Sequence, residues 1–276
     1  KTTFISGLWI IDNNPKNSYD HYIKYLPNSL DMLRGSRLLF FYDDENIFDK
    51  VNWHCRQRNI TIEGAYRPIE KLPTVQYGTK LVESCKMMCL DRFKEPQNKG
   101  NEKGSKHYWR DFKRGSPDLY RRLITIWTSK IALVWESMQY NNFCLTEYFG
   151  WVDMSVARFC YDRRNWNFMN QKLPPGLVAH YGSPMTYYGV KLPINASFLF
   201  GNKDAWHSLI TLYNKNIDKI VGMPYAHDEE TILYYCAWEK PSLFYTIGEP
   251  KKDNRIVRKI RKKFSIKITR CPMAPL

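Results

Sequence analysis

The stretch YFGWVDMSVARF (148–159) is apolar from Phe149 to Val152, then stops on a lone acid, Asp153, with Arg158 five residues on. In open α/β sheets ligands bind beyond the carboxyl ends of the strands, so an acid there faces a crevice and not the core. One carboxylate can hold Mg2+ or Mn2+ when a substrate's phosphates and water complete the oxygen shell. Such an ion neutralises a diphosphate leaving group. A second acid then serves as general base on an acceptor hydroxyl, and Asp228 and Glu229 in HDEE (227–230) are the candidates. Lys130 lies inside the apolar run IWTSKIALVW (126–135), so it either snorkels out or meets an anion.

These residues need a frame, and the sequence supplies one. TTFISGLWII (2–11), SRLLFFYDDEN (36–46) and ITIEGAYRPIE (60–70) read as strands, alternating with a helix over 19–33 that Pro27 interrupts. YRRLITIWTSKIALVWESMQY (120–140) is the strongest helix, with Leu123, Ile126, Trp127, Ile131, Val134 and Trp135 at helical spacing. Residues 193–220 predict a strand, a turn at Gly201 and a helix from about Asp204. Residues 225–244 predict a helix with an acidic start. This alternation gives an α/β sandwich, a central mostly parallel sheet flanked by helices. Residues 1–250 read as one domain, 91–118 as a mobile, polar loop that could close as a lid through His107, Tyr108 and Trp109, and 251–276 as a basic tail.

The chain has 276 residues, 42 Lys and Arg against 27 Asp and Glu, and a net charge of +15. That balance favours anionic partners: nucleic acid, phosphorylated small molecules or an acidic membrane surface. In the tail, Ile256, Ile260 and Phe264 recur at i, i+4 among basic residues, which suits peripheral contact with a membrane surface. No apolar run is long enough to span a bilayer, and the N-terminus has no signal-peptide form. Seven scattered cysteines without zinc spacing read as buried thiols of a reducing compartment, which predicts a cytoplasmic protein. Walker A, GxGxxG, GxSxG and HExxH patterns are absent.

The order IWTSKIALVWESM, YFGWVDMSVARF, NASFLFGNKDAW, HDEETILYY resembles the HtrL/YibB-like family of glycosyltransferases over about 120–244. The resemblance implies a GT-A type nucleotide-binding sandwich, a UDP-sugar donor and a divalent metal (Mn2+ or Mg2+). It places the metal on Asp153 and sets Ser129, Lys130 and Arg158 near the donor. Asn195, Ala196 and Gly201 fall on the acceptor side, and Asp228 and Glu229 beside the anomeric carbon. Ser155 stands where a full DxD motif would have a second acid and where the family pattern has glycine; its hydroxyl could hold a metal-bound water or a phosphate oxygen. Relatives in large algal viruses build capsid glycans, which implies an oligosaccharide or glycoprotein acceptor, host cytoplasm, and UDP-xylose as one donor.

Within such a fold Ser6 and Gly7, at the end of the first strand, are candidates for base or ribose contacts, while Trp9 reads as core. Asp43, Asp44 and Glu45 offer a rival metal site, with helix capping as the plainer role. The competing function is a basic nucleic-acid-binding protein or a metal-dependent nuclease using Asp43, Asp44 and Asp153. No nucleic-acid module is recognisable, so the leading expectation has no nucleic-acid partner.

Overall fold

Period-two alternation sends the large apolar side chains of each central strand to opposite faces, and two helical layers cover them. The computed structural model describes residues 2–12, 14, 18–92, 104–159, 173–225 and 228–249. Its strands are β1 (Thr2–Leu8), β2 (Arg37–Tyr42), β3 (Thr61–Tyr66), β4 (Tyr148–Val152), β5 (Val178–Tyr181), the short pair β6 (Thr186–Tyr187) and β7 (Val190–Lys191), β8 (Asn195–Asn202) and β9 (Phe244–Gly248). Seven form one sheet in the order β3-β2-β1-β4-β8-β5-β9. Only β8 runs against its neighbours, pairing antiparallel with both β4 and β5. The expected mostly parallel α/β sandwich is therefore what the chain forms.

Ile5, Leu39, Phe41, Phe149, Trp151 and Leu199 point to one face, and Phe4, Leu38, Phe40, Val152, Phe198 and Phe200 to the other. The second face is covered by α1 (Tyr19–Asp31) and α2 (Glu45–Arg56), which link the parallel strands β1, β2 and β3. The first is covered by α3 (Val75–Met87), α5 (Pro117–Tyr140), α6 (Lys203–Ile220) and α7 (Glu229–Glu239). Close approach requires glycine at Gly150: a Cβ there would lie 2.8 Å from the Phe4 ring and 3.1 Å from the Leu199 carbonyl oxygen.

Helix α5 is 24 residues long, roughly 36 Å at the usual rise. Ser116 starts it by accepting a hydrogen bond from the Leu119 N–H at 3.0 Å, and Pro117 occupies the first turn, where its missing N–H costs nothing. Ser116→Ala leaves that donor without its acceptor, so thermal or urea unfolding should show a loss of about 1 kcal/mol.

Two expectations change and one is met. The stretch 91–118 is not a loop throughout: Ser105–His107 is a short helix, α4, continued by a π-helical turn over Tyr108–Lys113. His107, Tyr108, Asp111 and Phe112 are buried there, because Tyr108 and Phe112 stack on each other and join the core. Residues 93–103 and the tail 251–276 lie outside the described residues. Gly201 is not a turn but part of β8, packed under Ala205 of α6. Asp44 accepts from the Asn46 N–H at 2.9 Å and caps α2, which is the plainer role expected of it. Among the described residues no helix is long and apolar enough to cross a membrane.

Candidate active site

The carboxyl ends of β1 and β4 point to the same edge of the sheet because the two strands are parallel. Since β8 is reversed, its beginning arrives at that edge too, and the Asp153 N–H donates to the Ser197 carbonyl at 2.9 Å. Helix α5 crosses beneath, with Leu123, Ile126, Trp127 and Lys130 at i, i+3, i+4 and i+7 on one face. The N-terminus of α7 closes the opposite side, and His107 enters from α4. Together they line a half-open cleft enclosing about 90 Å3, room for the reacting end of a ligand.

At its centre lies one buried ammonium between two carboxylates. Lys130 Nζ is 2.9 Å from Asp153 Oδ1 and 2.8 Å from Glu229 Oε1, and the lysine is 5% exposed. The anion its apolar setting demanded is thus supplied twice. Trp151 Nε1 donates to the same Asp153 oxygen at 2.9 Å. Arg158 Nη2 stands 3.8 Å from Asp153 Oδ2, and Nη1 of that arginine donates to Ser155 Oγ. Burial disfavours the charged form of Asp153, but Lys130 and then Arg158 outweigh it and hold the carboxyl below its ordinary range. For Lys130 burial again opposes the charge, and Asp153 and Glu229 more than offset it, raising the ammonium above the ordinary lysine value.

The acids of α7 divide their work. Asp228 caps the helix, accepting from the Thr231 N–H at 3.0 Å, and its other oxygen is 3.6 Å from His107 Nδ1. Glu230 accepts from Ser183 Oγ at 2.8 Å and the Ala196 N–H at 3.3 Å, tying α7 to the sheet. All three sit where the helix dipole favours negative charge. The cleft thus carries Asp153, Asp228, Glu229 and Glu230 against Lys130 and Arg158, an acidic lining in a basic chain.

The residues expected from the sequence fall into two groups. Asp153, Lys130, Ser155, Arg158, Asp228, Glu229, Asn195 and Gly7 all line the cleft. Ser6, Ser129, Ala196 and Gly201 do not. Ser6 is fully buried and donates to the Val152 carbonyl at 2.5 Å, fastening β1 to β4. Ser129 sits a third of a turn from Lys130 and hydrogen-bonds Thr74 Oγ1 at 2.7 Å, fixing α5 to the start of α3. Ala196 contributes only its backbone N–H, to Glu230. Trp9 is core, as expected, at 4% exposed, donates to the Arg67 carbonyl at 2.8 Å, and also lines the cleft. Asp43 and Asp44 lie outside the cleft lining, so Asp153 does not share a site with them there. His227 lies outside the described residues.

One contributor escaped the sequence reading as a member of the site. His107 appeared as a contact of a lid and is instead a buried wall, tilted against the Trp127 ring at 5.0 Å. Asn195 is 1% exposed; its Oδ1 accepts from the Ser197 N–H at 2.8 Å, whereas its buried Nδ2 has no hydrogen-bond partner among the described residues. A buried donor without a partner costs free energy, so an acceptor presented by a ligand would be bound favourably here.

No protein-family model matches the sequence, and no curated protein does. Among solved structures, the glycosyltransferase GlyE of Streptococcus pneumoniae TIGR4 aligns over 98% of this chain and 51% of its own, at 10% identity and a TM-score of 0.43. Core-mannan synthase A (CmsA/Ktr4) of Aspergillus fumigatus, in its Mn/GDP form, aligns over 89% of this chain and 72% of its own, at 10% identity and a TM-score of 0.48. The chain therefore spans about half the length of GlyE. Likeness at this level carries no correspondence between residues, and the chemistry of the cleft has to come from its own geometry.

Proposed function

We propose that the chain is a GT-A type glycosyltransferase that moves a sugar from a nucleotide diphosphate, with UDP-sugars as the first candidates, to a hydroxyl of an oligosaccharide or glycoprotein acceptor. The observation that carries this reading is the Asp153–Lys130–Glu229 bridge at the carboxyl edge of a mostly parallel sheet. It fixes a strand-end acid against a helix-start acid in one cleft, with an arginine beside them.

In this reading Lys130 positions its two carboxylates, since its ammonium is already committed to them. Arg158, with about a quarter of its side chain exposed, is the cation among the described lining residues that can turn toward a diphosphate. Glu229 and Asp228 stabilise the positive charge that develops on the sugar as the glycosidic bond stretches. The Asn195 amide takes a sugar hydroxyl or phosphate oxygen as its missing acceptor.

For a divalent ion, Asp153 Oδ1 is taken by Trp151 and Lys130, which leaves Oδ2 as the oxygen of that carboxylate able to hold it. No group of three or more His, Cys, Asp or Glu side chains converges as a metal cage among the described residues, so the substrate's own oxygens would have to complete the shell. When bound, such an ion would supply Lewis acidity to the leaving diphosphate and offset the excess of carboxylates.

The test is a thermal-shift panel of nucleoside diphosphates and nucleotide sugars, UDP-xylose among them, with and without Mn2+. A ligand at a hundred times its dissociation constant stabilises the fold by about 2.7 kcal/mol. A rise in Tm with one nucleotide family, larger with Mn2+, is the expected result. No response to any nucleotide sugar, combined with tight and steeply salt-dependent binding to DNA or RNA, would move the protein to the nucleic-acid class.

A further inference from the structure

Helix α7 is apolar on two sides, and the described residues cover only one of them. Ile232, Leu233 and Cys236 are fully buried in the core, yet Trp238, beyond them, is 78% exposed. With His180, Ile194, Tyr234, Phe244 and Thr246 it lines a groove of about 330 Å3, within the range of small-molecule sites.

Two observations say what fits there. The first is continuity. Glu230, Tyr234, Ala237 and Trp238 stand at i, i+4, i+7 and i+8, one face of α7. Glu230 belongs to the catalytic cleft and the other three to the groove, so the groove begins roughly 6 Å, one helical turn, along from the cleft. Strand β8 repeats this: Asn195 lines the cleft and its neighbour Ile194 the groove. The second is charge. In a chain of net charge +15, no Lys, Arg, Asp or Glu among the described residues lines the groove, and burial holds the His180 ring below the ordinary histidine value, favouring its neutral form. Such walls suit neither a phosphate backbone nor an anionic headgroup. They offer indole and phenol faces with a hydroxyl at the rim, a surface for a neutral ring that has an apolar face and polar edges.

We propose that this groove is an acceptor subsite, in which one pyranose ring of a neutral oligosaccharide stacks on Trp238 and Tyr234 while the reacting hydroxyl lies in the cleft. The proposal rests on the glycosyltransferase reading and adds to it where the acceptor chain runs. Rigid aromatic side chains give large contact area at low entropic cost, so the indole carries most of the binding.

Saturation-transfer NMR with tetrasaccharides of mannose, N-acetylglucosamine and xylose tests this on the full chain without any turnover. One tetrasaccharide should bind the wild type. Trp238→Ala should weaken it about tenfold or more, while Trp238→Phe, keeping an aromatic face, restores most of the affinity. The indole is largely exposed, so neither variant should unfold, and an unchanged far-UV spectrum checks this. No tetrasaccharide signal in the wild type, or one indifferent to Trp238→Ala, overturns the subsite. It is equally overturned if Trp238 emission shifts on removal of residues 251–276 or on self-association and no tetrasaccharide competes, since the groove then belongs to the tail or to a second copy. Nucleotide-induced stabilisation measured on the same samples reads the transferase function separately: its loss alone removes that function and leaves the groove, and the converse holds.

Discussion

Lys130→Met is expected to cost about 3–5 kcal/mol of folding stability, the usual penalty when one partner of a buried ion cluster is removed. Methionine matches the shape of the stem but leaves Asp153 and Glu229 facing each other without the ammonium that lies 2.9 and 2.8 Å from them. The pH dependence identifies the cause. Asp153 titrates below its ordinary value, so its contribution is complete above the unfolded carboxyl value, about 3.9, and is lost as pH falls through the folded one. Lys130 titrates above its ordinary value, so its contribution is complete below about 10.4 and is lost as pH rises through the folded one. The wild type should therefore hold this stability flat across neutral pH. The variant should gain stability as acid protonates the crowded carboxylates. Urea unfolding from pH 4 to 9 measures both; a variant whose loss is the same at every pH would show a packing defect and no charge cluster.

Asp153→Asn should behave differently, costing less stability than Lys130→Met and most of the activity. The amide keeps the side chain's size, Lys130 keeps Glu229 as its partner, and the Trp151 N–H can still donate to an oxygen. The charge, however, leaves the one carboxylate at the strand end. Transfer and donor hydrolysis should both fall by about 10²–10³-fold or more, the scale seen when a single electrostatic contributor to a transition state is removed. Initial rates with the best donor from the thermal-shift panel, set beside an unfolding curve, read the two effects together. Near-normal turnover would take Asp153 out of the reacting centre.

The contrast between these variants shows what the sequence could and could not disclose. Asp153 was legible because an apolar run that ends on an acid has few structural uses, and Lys130 because a cation in an apolar helix must find an anion. Which anions it finds was not legible, since Glu229 is 99 residues away and nothing local announces it. Helix rotation hid the role of Ser129: one residue from Lys130, it faces α3 and holds Thr74. Strand pleat hid that of Ser6, which faces β4 whereas Gly7 faces the cleft. Direction was hidden as well. A buried strand has the same apolar pattern whichever way it runs, so the reversal of β8, which brings Asn195 to Asp153, had no signature. Gly201 read as a turn for the same reason, since a glycine packed inside a strand and one at a bend look alike in sequence.

The reversed strand also has a consequence for how this protein can diverge. Strand β8 is clamped on both sides, to β4 and to β5, so its register against Asp153 is fixed by the sheet and not by the chain that leads into it. The tip of the preceding β6–β7 hairpin, residues 188–191, is exposed and contributes nothing to the cleft lining. That segment is free to lengthen, shorten or change composition while the reacting groups keep their spacing. It is a stretch of surface that can vary while the clamp around Asp153 stays fixed.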